Sequence, residues 1–309
     1  MRSVFLRAPA TIANLVCGFD VLGLCLHEPY DDMEIRLLQE RKVVIQHYGQ
    51  ESLPHDPEQN TAGASLLHLL EEVEGDIGFL VRIRKNIKPG SGLGSSAASA
   101  AGAVVGANQL LHGRFSKTDL VRFAMSGEKA ASGVKHADNV APLIYGGVTL
   151  IRTAFPLDVV ALTAPPLFIA VVHPQIEVRT ADARQILRKE VLLKDAIKQW
   201  GNIAALVAGL LQRDYHLISR SLEDHLIEPL RSILIPGFAT LKQQCIDAGA
   251  LGGGISGSGP SVFMLCAHEA TARDVERIMQ QTYKTLFVKH RTYVTTINTQ
   301  GCTLTGQQA

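Results

Sequence analysis

The sequence lacks an excess of charge of one sign. Its 30 Lys and Arg residues nearly balance 29 Asp and Glu residues, so the formal net charge is +1. No global field therefore attracts nucleic acid or an anionic membrane, and any anion must be bound by a local site. We expect a small-molecule substrate, with neither nucleic acid nor a membrane as a partner.

A cysteine framework and a long hydrophobic segment are also missing. The five cysteines are odd in number, and no pair has the spacing of a zinc ligand set or a redox motif, which favours reduced, mostly buried thiols in a cytoplasmic protein. The longest apolar stretch, Val159–Val172, is interrupted by Thr163 and by Pro165–Pro166. It is too short and too broken to span a bilayer, and it predicts two buried strands around a turn.

The length of 309 residues suggests about two domains. We expect an N-terminal domain at residues 1–157 and a C-terminal domain at 158–309. The boundary is placed where strand patterns with glycine-rich turns give way to a mixed pattern of helices and strands. In the first, β-branched and alternating patterns predict strands at Val4–Ala8, Met33–Leu38, Lys42–Tyr48 and Phe79–Arg84. Helical patterns are predicted at 95–111, 118–131, 180–192, 196–211, 215–226, 238–248 and 270–283.

The most informative stretch is a glycine-rich loop before an Ala-rich helix. Residues 88–98 have the sequence Lys-Pro-Gly-Ser-Gly-Leu-Gly-Ser-Ser-Ala-Ala. Glycines let a backbone approach a ligand and point several N–H groups one way, and the helix start adds unpaired donors and a partial positive charge. This combination predicts an anion site, most often used for phosphate. Ser95 and Ser96 add hydroxyls for phosphate oxygen or a metal ion.

Two common phosphate loops fit this stretch poorly. A P-loop ends in Gly-Lys-Ser/Thr, and no lysine stands there. Gly92-x-Gly94-x-x-Ala97 matches a dinucleotide pattern, but that pattern needs a second parallel strand with an acidic residue about 20 positions on. The corresponding region has a helical pattern instead, so a dinucleotide-binding dehydrogenase is the weakest alternative.

Three further stretches carry candidate residues. Gly252–Pro260 contains five glycines and predicts a second functional or tightly packed loop. Pro9–Gly23 contains Asn14 and Asp20, each of which alone is compatible with a simple turn. Gly127–Pro142 contains Glu128, a candidate ligand for a divalent ion.

Together these elements resemble the GHMP kinase family, in its homoserine kinase branch. Residues 89–98 match the central motif P-x-x-x-G-L-G-S-S-A-A, with two residues instead of three between Pro89 and Gly92. Pro9–Gly23 resembles the first motif, Ser256–Phe263 the third, and residues 136–142 the branch's H-x-D-N-V-A-P. The order and separation of these motifs cover nearly the whole chain.

The resemblance implies an α+β fold in two lobes, the N-terminal one like ribosomal protein S5 domain 2 and the C-terminal one ferredoxin-like. ATP would lie on the glycine loop, with Ser96 and Glu128 holding Mg²⁺ and Asn60 near adenine. Lys85 would either touch phosphate or be solvated. The implied nucleotide-binding residues are Asn60, Lys85, Pro89, Gly90, Ser91, Gly92, Leu93, Gly94, Ser95, Ser96 and Ala97.

The implied reaction is ATP-dependent phosphorylation of the L-homoserine hydroxyl in threonine biosynthesis. The substrate carboxylate calls for arginine, and Arg184 and Arg231 match branch motifs. Asp20 would bind the ammonium group. Asn14, His136 and Gly257 complete the implied substrate site. Members of the family often form dimers, so the resemblance is compatible with a homodimer.

Two departures from the family patterns bear on mechanism. Asn139 stands where mevalonate kinase has a catalytic Asp, and an amide cannot accept a proton as a general base. We therefore expect Asn139, Asn14 and Glu128 to serve catalysis without a dedicated protein base, with Asp138 as the rival base. Val16-Cys17-Gly18 replaces the branch's usual glycine after Asn-Leu and puts the tightness of substrate binding in doubt.

Two alternatives stay open. The first is another GHMP small-molecule kinase, of the mevalonate or shikimate type, although a hydrophobic or isoprenoid substrate would not need both Arg184 and Arg231 with Asp20. A non-catalytic nucleotide-binding regulator on the same fold would be expected to lack Glu128 or Ser96, and both are present.

Overall fold

The computed structural model describes residues 2–48, 53–133, 136–178 and 180–308. Two sheets organise these residues. The larger sheet has the strand order β11-β1-β2-β4-β3, with β5 pairing to β2 and β6 to β5. Its strands are β1 Ser3–Ala13, β2 Leu22–Leu38, β3 Val43–Tyr48, β4 Gly78–Arg84, β5 Val148–Ala154, β6 Leu157–Leu162 and β11 Thr303–Gln308.

The smaller sheet is antiparallel, with the order β10-β7-β9-β8. Its strands are β7 Phe168–Pro174, β8 Gly252–Ile255, β9 Val262–Cys266 and β10 His290–Thr296. The helices are α1 Thr61–Leu70, α2 Ser95–Leu110, α3 Lys117–Ser132, α4 Val140–Tyr145, α5 Thr180–Gln185, α6 Leu193–Gln212, α7 Tyr215–Ser221, α8 Glu228–Arg231, α9 Phe238–Asp247 and α10 Glu269–Thr285. This mixed architecture confirms the predicted α+β fold with two lobes. The division at residue 157 stays a prediction, and β6 and β11 join the larger sheet from beyond it.

Helix α2 lies in the middle of the first core because its side chains are small. A Cβ at Gly102 would stand 2.4 Å from the Met33 sulfur, and one at Gly106 would stand 2.4 Å from Ile35 Cγ1. Alanines fill most of the remaining buried positions of the helix. The small residues therefore let α2 pack closely on β2, which fixes where the helix begins relative to the sheet.

Several predicted boundaries were wrong, for local physical reasons. The stretch 159–172 does form two strands around a turn, but no residue of β6 is fully buried, because this strand pairs only with β5 at the sheet edge. The helix predicted to end at Leu226 ends at Ser221. Downstream, the Asp224 carboxylate accepts the backbone N–H groups of residues 226, 227 and 228 at 2.8–3.1 Å, which starts a new turn instead.

The helix predicted at 180–192 ends at Gln185, and residues 188–192 are exposed and have no buried face to support a helix. Among the described residues, no helix is both long and apolar enough to cross a membrane.

Candidate active site

The glycine loop adopts a backbone that only glycine accommodates easily. Gly90, Gly92 and Gly94 have φ of +72°, +79° and +67°, and α2 begins at the next residue, Ser95. A Cβ at Gly92 would lie 2.6 Å from two carbonyl oxygens of the second glycine stretch, and one at Gly94 would lie 1.9 Å from Thr11 Oγ1. The loop thus brings its backbone to the N-terminus of a buried helix, which is the arrangement of an anion site.

The second glycine stretch holds the first in place. Ser261 Oγ donates to the Ser91 carbonyl at 2.6 Å, and Ser256 Oγ donates to the Gly92 carbonyl at 2.7 Å. The prediction that the whole stretch 252–260 is a loop was wrong, since Gly252–Ile255 forms strand β8. Its glycines serve close packing there, because a Cβ at Gly253 would stand 2.0 Å from the Phe263 carbonyl oxygen.

The two serines at the helix start have different partners. Ser95 is buried and its hydroxyl donates to the Ile87 carbonyl at 2.8 Å, so that hydroxyl is already bound within the protein. Ser96 forms a side-chain hydrogen bond with Glu128. The two predicted Mg²⁺ ligands therefore lie side by side. Burial raises the pKa of Glu128, while Ser96 and Lys85 act in the opposite direction.

Lys85 is not solvated. Its side chain is 3% exposed and forms an ion pair with the buried Asp31. Its ammonium also donates to the Ser95 carbonyl at 2.8 Å and to Ser99 Oγ at 3.1 Å. The prediction of a solvated lysine was wrong. Lys85 stabilises the first turn of α2 and also lines the cavity described below.

Asn60 forms the N-cap of α1. Its Oδ1 accepts from the N–H groups of Ala62 and Gly63 at 3.0 and 3.3 Å, and its Nδ2 donates to the Pro54 carbonyl at 2.8 Å. These hydrogen bonds stabilise the local structure at the start of α1. Asn60 also lines the cavity beside Pro54, so any contact with adenine would involve a side chain that the N-cap hydrogen bonds hold in place.

The turn after β1 is strained and carries two predicted residues. Asn14, Val16 and Asp20 have φ of +74°, +66° and +60°. A β-branched residue seldom adopts such a φ, so the departure from the family's glycine at Val16 has a backbone cost. Asn14 stabilises the turn: its Oδ1 accepts from the Asp20 N–H at 3.0 Å and its Nδ2 donates to the Gly257 carbonyl at 3.0 Å.

A cluster of charged side chains faces this turn. Arg184 donates to both Asp20 carboxylate oxygens at 3.1 and 3.2 Å and to His136 Nδ1 at 3.4 Å. Arg231 is 4% exposed and is held from behind, where Nε donates to the Ala183 carbonyl at 3.1 Å. One of its terminal nitrogens donates to the Gly257 carbonyl at 3.0 Å. The chain thus brings two cations and one carboxylate together from three distant segments.

His136 is neutral in this cluster. Burial lowers its pKa, Asp20 opposes that effect, and the two nearby arginines lower it further. Because Arg184 donates to Nδ1, the ring proton resides on Nε2. Nε2 is buried and has no hydrogen-bond partner among the described residues, so His136 can donate one hydrogen bond to a bound molecule.

Asn139 and Asp138 lie at the end of the same cavity. Thr11 Oγ1 donates to Asn139 Oδ1 at 2.7 Å, which fixes the amide so that its NH₂ group is the free donor. Asp138 is 4% exposed, and its carboxylate accepts from the Asn139 N–H at 3.1 Å. Burial raises the pKa of Asp138 to about 7, with Asp20 and Glu128 adding to the rise.

One cavity of about 510 Å³ joins these groups. Most predicted site residues line it, from the loop and α2: Pro89, Gly90, Ser91, Gly92, Gly94, Ser95 and Ser96, and from elsewhere Asn14, Asp20, Asn60, Lys85, Glu128, His136, Asn139, Arg184, Arg231 and Gly257. Leu93 and Ala97 do not, because both side chains are buried in the core. Their predicted contact with a cofactor is therefore limited to the backbone.

Sequence reasoning missed two residues of this site. Phe19 lies under both guanidinium groups, with its ring centre 5.9 Å from Arg184 Cζ and 5.0 Å from Arg231 Cζ. Thr11 holds Asn139 from 128 positions away. Both stand inside the first motif, so a signal was present, but only the folded chain shows what they touch.

The chain is similar to known proteins over most of its length. Residues 60–147 match the GHMP kinases N terminal domain and residues 206–285 match the GHMP kinases C terminal domain. Homoserine kinase of Chloroherpeton thalassium is 44% identical over 92% of this chain and 93% of its own length. Homoserine kinase of Methanocella arvoryzae is 40% identical over 96% of both.

Solved structures give the same relation. The crystal structure of homoserine kinase from Cytophaga hutchinsonii superposes with a TM-score of 0.94 at 46% identity, covering 98% of this chain and 97% of that one. Mevalonate kinase from L. major, at 18% identity and a TM-score of 0.70, shares the fold alone. The chain therefore belongs to the GHMP kinase family and, within it, to the homoserine kinases.

Proposed function

We propose that this protein transfers the γ-phosphoryl group of ATP to the side-chain hydroxyl of L-homoserine, producing O-phospho-L-homoserine for threonine biosynthesis. The observation that carries the proposal is the single cavity that joins the glycine loop to the Asp20, Arg184 and Arg231 cluster. One end suits a polyphosphate, and the other suits a small zwitterion. Relatives at 40–44% identity over nearly the full chain are homoserine kinases, which supports the same substrate.

ATP would lie with its triphosphate on the loop Pro89–Gly94 and the first turn of α2, where backbone N–H groups and the helix dipole favour negative charge. Asn60 and the neighbouring Pro54 line the part of the cavity assigned to adenine. Lys85, which forms an ion pair with Asp31, would support the first turn of α2.

Mg²⁺ fits the pair Ser96 and Glu128. A hydroxyl and a carboxylate are the hard oxygen donors that Mg²⁺ prefers, and the two side chains are in contact at the N-terminus of α2. The ion, when bound with ATP, would neutralise phosphate charge. Because burial disfavours the charged form of Glu128, its deprotonation would be coupled to binding of the cation.

The substrate would insert into the Asp20–Arg184 pair. Its ammonium replaces part of the Arg184 contact with Asp20, and its carboxylate bridges the two guanidinium groups, which are stacked over Phe19. The His136 Nε2–H and the Gly257 region with Asn14 would orient the remaining polar atoms. Each charge of the zwitterion thus meets an opposite charge, and of these groups Arg231 is buried while Asp20 and Arg184 are partly exposed.

Phosphoryl transfer here would proceed without a dedicated base. The Asn139 NH₂ group, oriented by Thr11, would donate to the charge that develops near the transferred group. The hydroxyl proton would pass to a phosphate oxygen, since the transition state is loose and most acceleration comes from positioning and charge neutralisation.

A substrate panel tests the proposal. Purified protein with ATP and Mg²⁺ is given L-homoserine, L-homoserine methyl ester, mevalonate, shikimate and galactose, and ADP release is followed. We expect efficient turnover of L-homoserine, much poorer turnover of the ester because it lacks the carboxylate, and none of mevalonate, shikimate or galactose. Arg231→Lys should raise KM for L-homoserine at least about 10-fold while KM for ATP stays unchanged. Turnover of mevalonate instead would reject the substrate, and no turnover with any alcohol would reject the activity.

The thiols support a reducing compartment. All five cysteines are free, and burial raises the pKa of Cys17, Cys245, Cys266 and Cys302 to about 12. We propose a cytoplasmic location on that basis. Cys17, although it adjoins the substrate turn, is therefore an inert core residue.

A further inference from the structure

A buried glutamine of helix α6 reaches the substrate turn from outside it. Gln199 is 4% exposed, although no described residue of α6 lines the cavity. Its Nε2 donates to the Cys17 carbonyl at 2.8 Å and to Asp224 Oδ1 at 2.9 Å, and its Oε1 accepts from the His225 N–H at 2.9 Å. The nitrogen and the oxygen of this amide therefore both have their partners within the protein.

The chemistry of the three partners fixes the orientation of the Gln199 amide. A carbonyl and a carboxylate only accept hydrogen bonds, and a backbone N–H only donates. The site therefore requires two donors and one acceptor on one side chain, which glutamine supplies. A glutamate of the same length would direct an oxygen at two other oxygens, and a methionine would offer a donor to neither of them.

The first partner belongs to the strained turn that carries Asp20. Residues 14–16 all have positive φ, between +41° and +74°, which side chains other than glycine seldom adopt. Such a conformation persists only where the surrounding structure holds it. The hydrogen bond from Gln199 ties the carbonyl of the next residue, Cys17, to a long helix. It therefore helps to fix the turn, and with it the Asp20 carboxylate.

The second partner, Asp224, lies at the start of the helix that carries Arg231. Its carboxylate accepts the N–H groups of residues 226–228, and Arg231 is the last residue of α8. Gln199 donates to Oδ1, the same oxygen that accepts from residues 226 and 227. One amide therefore joins the segment of Asp20 to the segment of Arg231.

We propose that Gln199 is a positioning residue, which sets the distance between the Asp20 carboxylate and the Arg231 guanidinium to fit the ammonium and carboxylate of one amino acid. Gln199 acts through the two segments, since it does not line the cavity. Geometry matters here because a misplacement of about 1 Å at a binding group can cost about 100-fold in rate. This inference rests on the proposed function, which assigns the two ends of L-homoserine to these groups.

Steady-state kinetics of Gln199→Met test the proposal. Methionine keeps the length of the side chain and packs readily, but it donates no hydrogen bond. We expect KM for L-homoserine to rise at least about 10-fold while KM for ATP stays within about twofold. The matched control is Asn202→Ala, because Asn202 donates at 2.9 Å from the same helix to the Glu223 carbonyl and does not reach the turn. This control should leave both KM values unchanged.

A double-variant cycle separates positioning from general destabilisation. If Gln199 acts partly through Arg231, adding Gln199→Met to Arg231→Lys should lower kcat/KM for L-homoserine by less than about a third of its effect in the wild-type background. A merely structural role would instead lower the melting temperature of Gln199→Met and leave the KM values of the folded enzyme unchanged. That result would overturn the inference.

The NMR titration of the His136 imidazole needs no substrate. The pKa of His136 responds to Asp20 and to the two arginines, so a displaced turn should move its midpoint by at least about 0.3 pH in Gln199→Met and leave it in place in Asn202→Ala. A wild type that does not phosphorylate L-homoserine would reject the proposed function, and an unchanged His136 midpoint in Gln199→Met would then overturn the inference separately. With an active wild type, an unchanged KM for L-homoserine in Gln199→Met would overturn it.

Discussion

At the scale of single residues, the nature of the proton acceptor depends on two neighbours in the chain. Asn139 is held as a donor by the Thr11 hydroxyl, whereas Asp138 is a buried carboxylate with a pKa of about 7. A pKa near the working pH suits a general base, so burial keeps Asp138 as a rival to transfer without a base. The orientation of Asn139 as a donor supports transfer without a base.

Asp138→Asn distinguishes the two mechanisms. If no protein base operates, kcat should fall by less than about 10-fold, because the isosteric amide keeps the acceptor for the Asn139 N–H. The measurement is steady-state kinetics with both KM values. A fall of about 10⁴-fold with KM unchanged would show that Asp138 is the base.

The same substitution should change the pH dependence of stability. The folded-state pKa of Asp138 is raised by burial above its unfolded value of 3.8, so the native state binds the proton more tightly, and stability contributed by this group falls as pH rises from about 4 to about 7. Without nucleotide and Mg²⁺, Asp138→Asn should therefore be more stable than wild type at pH 8, by up to about 4 kcal/mol, and equal to it near pH 4. Denaturant unfolding at both pH values measures this. Equal stability of the two proteins at pH 8 would contradict the buried-charge account.

Thr11 should act through Asn139 and not through binding. In Thr11→Val the amide of Asn139 loses its donor at 2.7 Å and can rotate, so kcat should fall about 10- to 100-fold while KM for ATP and L-homoserine stays within about twofold. Thr11→Ser keeps the hydroxyl and serves as the control, with kcat near the wild-type value. A purely structural role would instead lower thermal stability in Thr11→Val and leave kcat of the folded fraction unchanged.

At the scale of elements, the composition of the glycine loop and α2 determined their structure closely. The helix predicted from Ser95 to Leu111 ends one residue earlier, and α3 begins with a complete capping box formed by Ser116 and Asp119. Such signals are local, since they depend on backbone freedom and on hydrogen bonds within four residues. The structure of the glycine stretch at 252–260 was harder to predict, because strand β8 forms only when β9 pairs beside it.

Two glycines of the loop offer a matched comparison. Both Gly90 and Gly92 have positive φ, but a Cβ at Gly90 has nothing within 4 Å, whereas one at Gly92 would stand 2.6 Å from two carbonyl oxygens. Gly90→Ala should therefore lower the free energy of unfolding only by the backbone strain of a left-handed alanine, about 1–2 kcal/mol. Gly92→Ala should separate the two glycine stretches and weaken ATP binding at least about 100-fold more than Gly90→Ala does. Equal effects on ATP affinity, measured by titration calorimetry, would show that the packing of the loops is unimportant for the nucleotide.

At the scale of the whole molecule, the site exists because distant segments share one cavity. The predicted substrate groups come from the turn after β1, the segment before α4, α5 and α8, and they meet only in the folded chain. A ligand that bridges the two ends of this cavity should stabilise the entire fold. ATP with Mg²⁺ at 100 times its dissociation constant should add about 2.7 kcal/mol, whereas NAD should add nothing.

Thermal unfolding with each nucleotide measures that difference. ATP without the cation should raise the melting temperature less than ATP with Mg²⁺, because phosphate charge would then face the buried Glu128 alone. A larger rise with NAD than with ATP would remove the basis for a kinase. Glu128→Gln is the control, since it should abolish the difference between the two ATP conditions.

The sequence by itself determined the family, the phosphate loop with its helix, and the identity of most residues that line the cavity, because ordered motifs and glycine requirements are local properties. Only the tertiary structure decided that the Ser95 hydroxyl and the Asn60 amide are bound within the protein, that Lys85 is buried against Asp31, and that Thr11 orients Asn139. Those facts depend on contacts between residues far apart in the chain. Such contacts also set the burial that raises the pKa of Asp138, which composition and spacing do not encode.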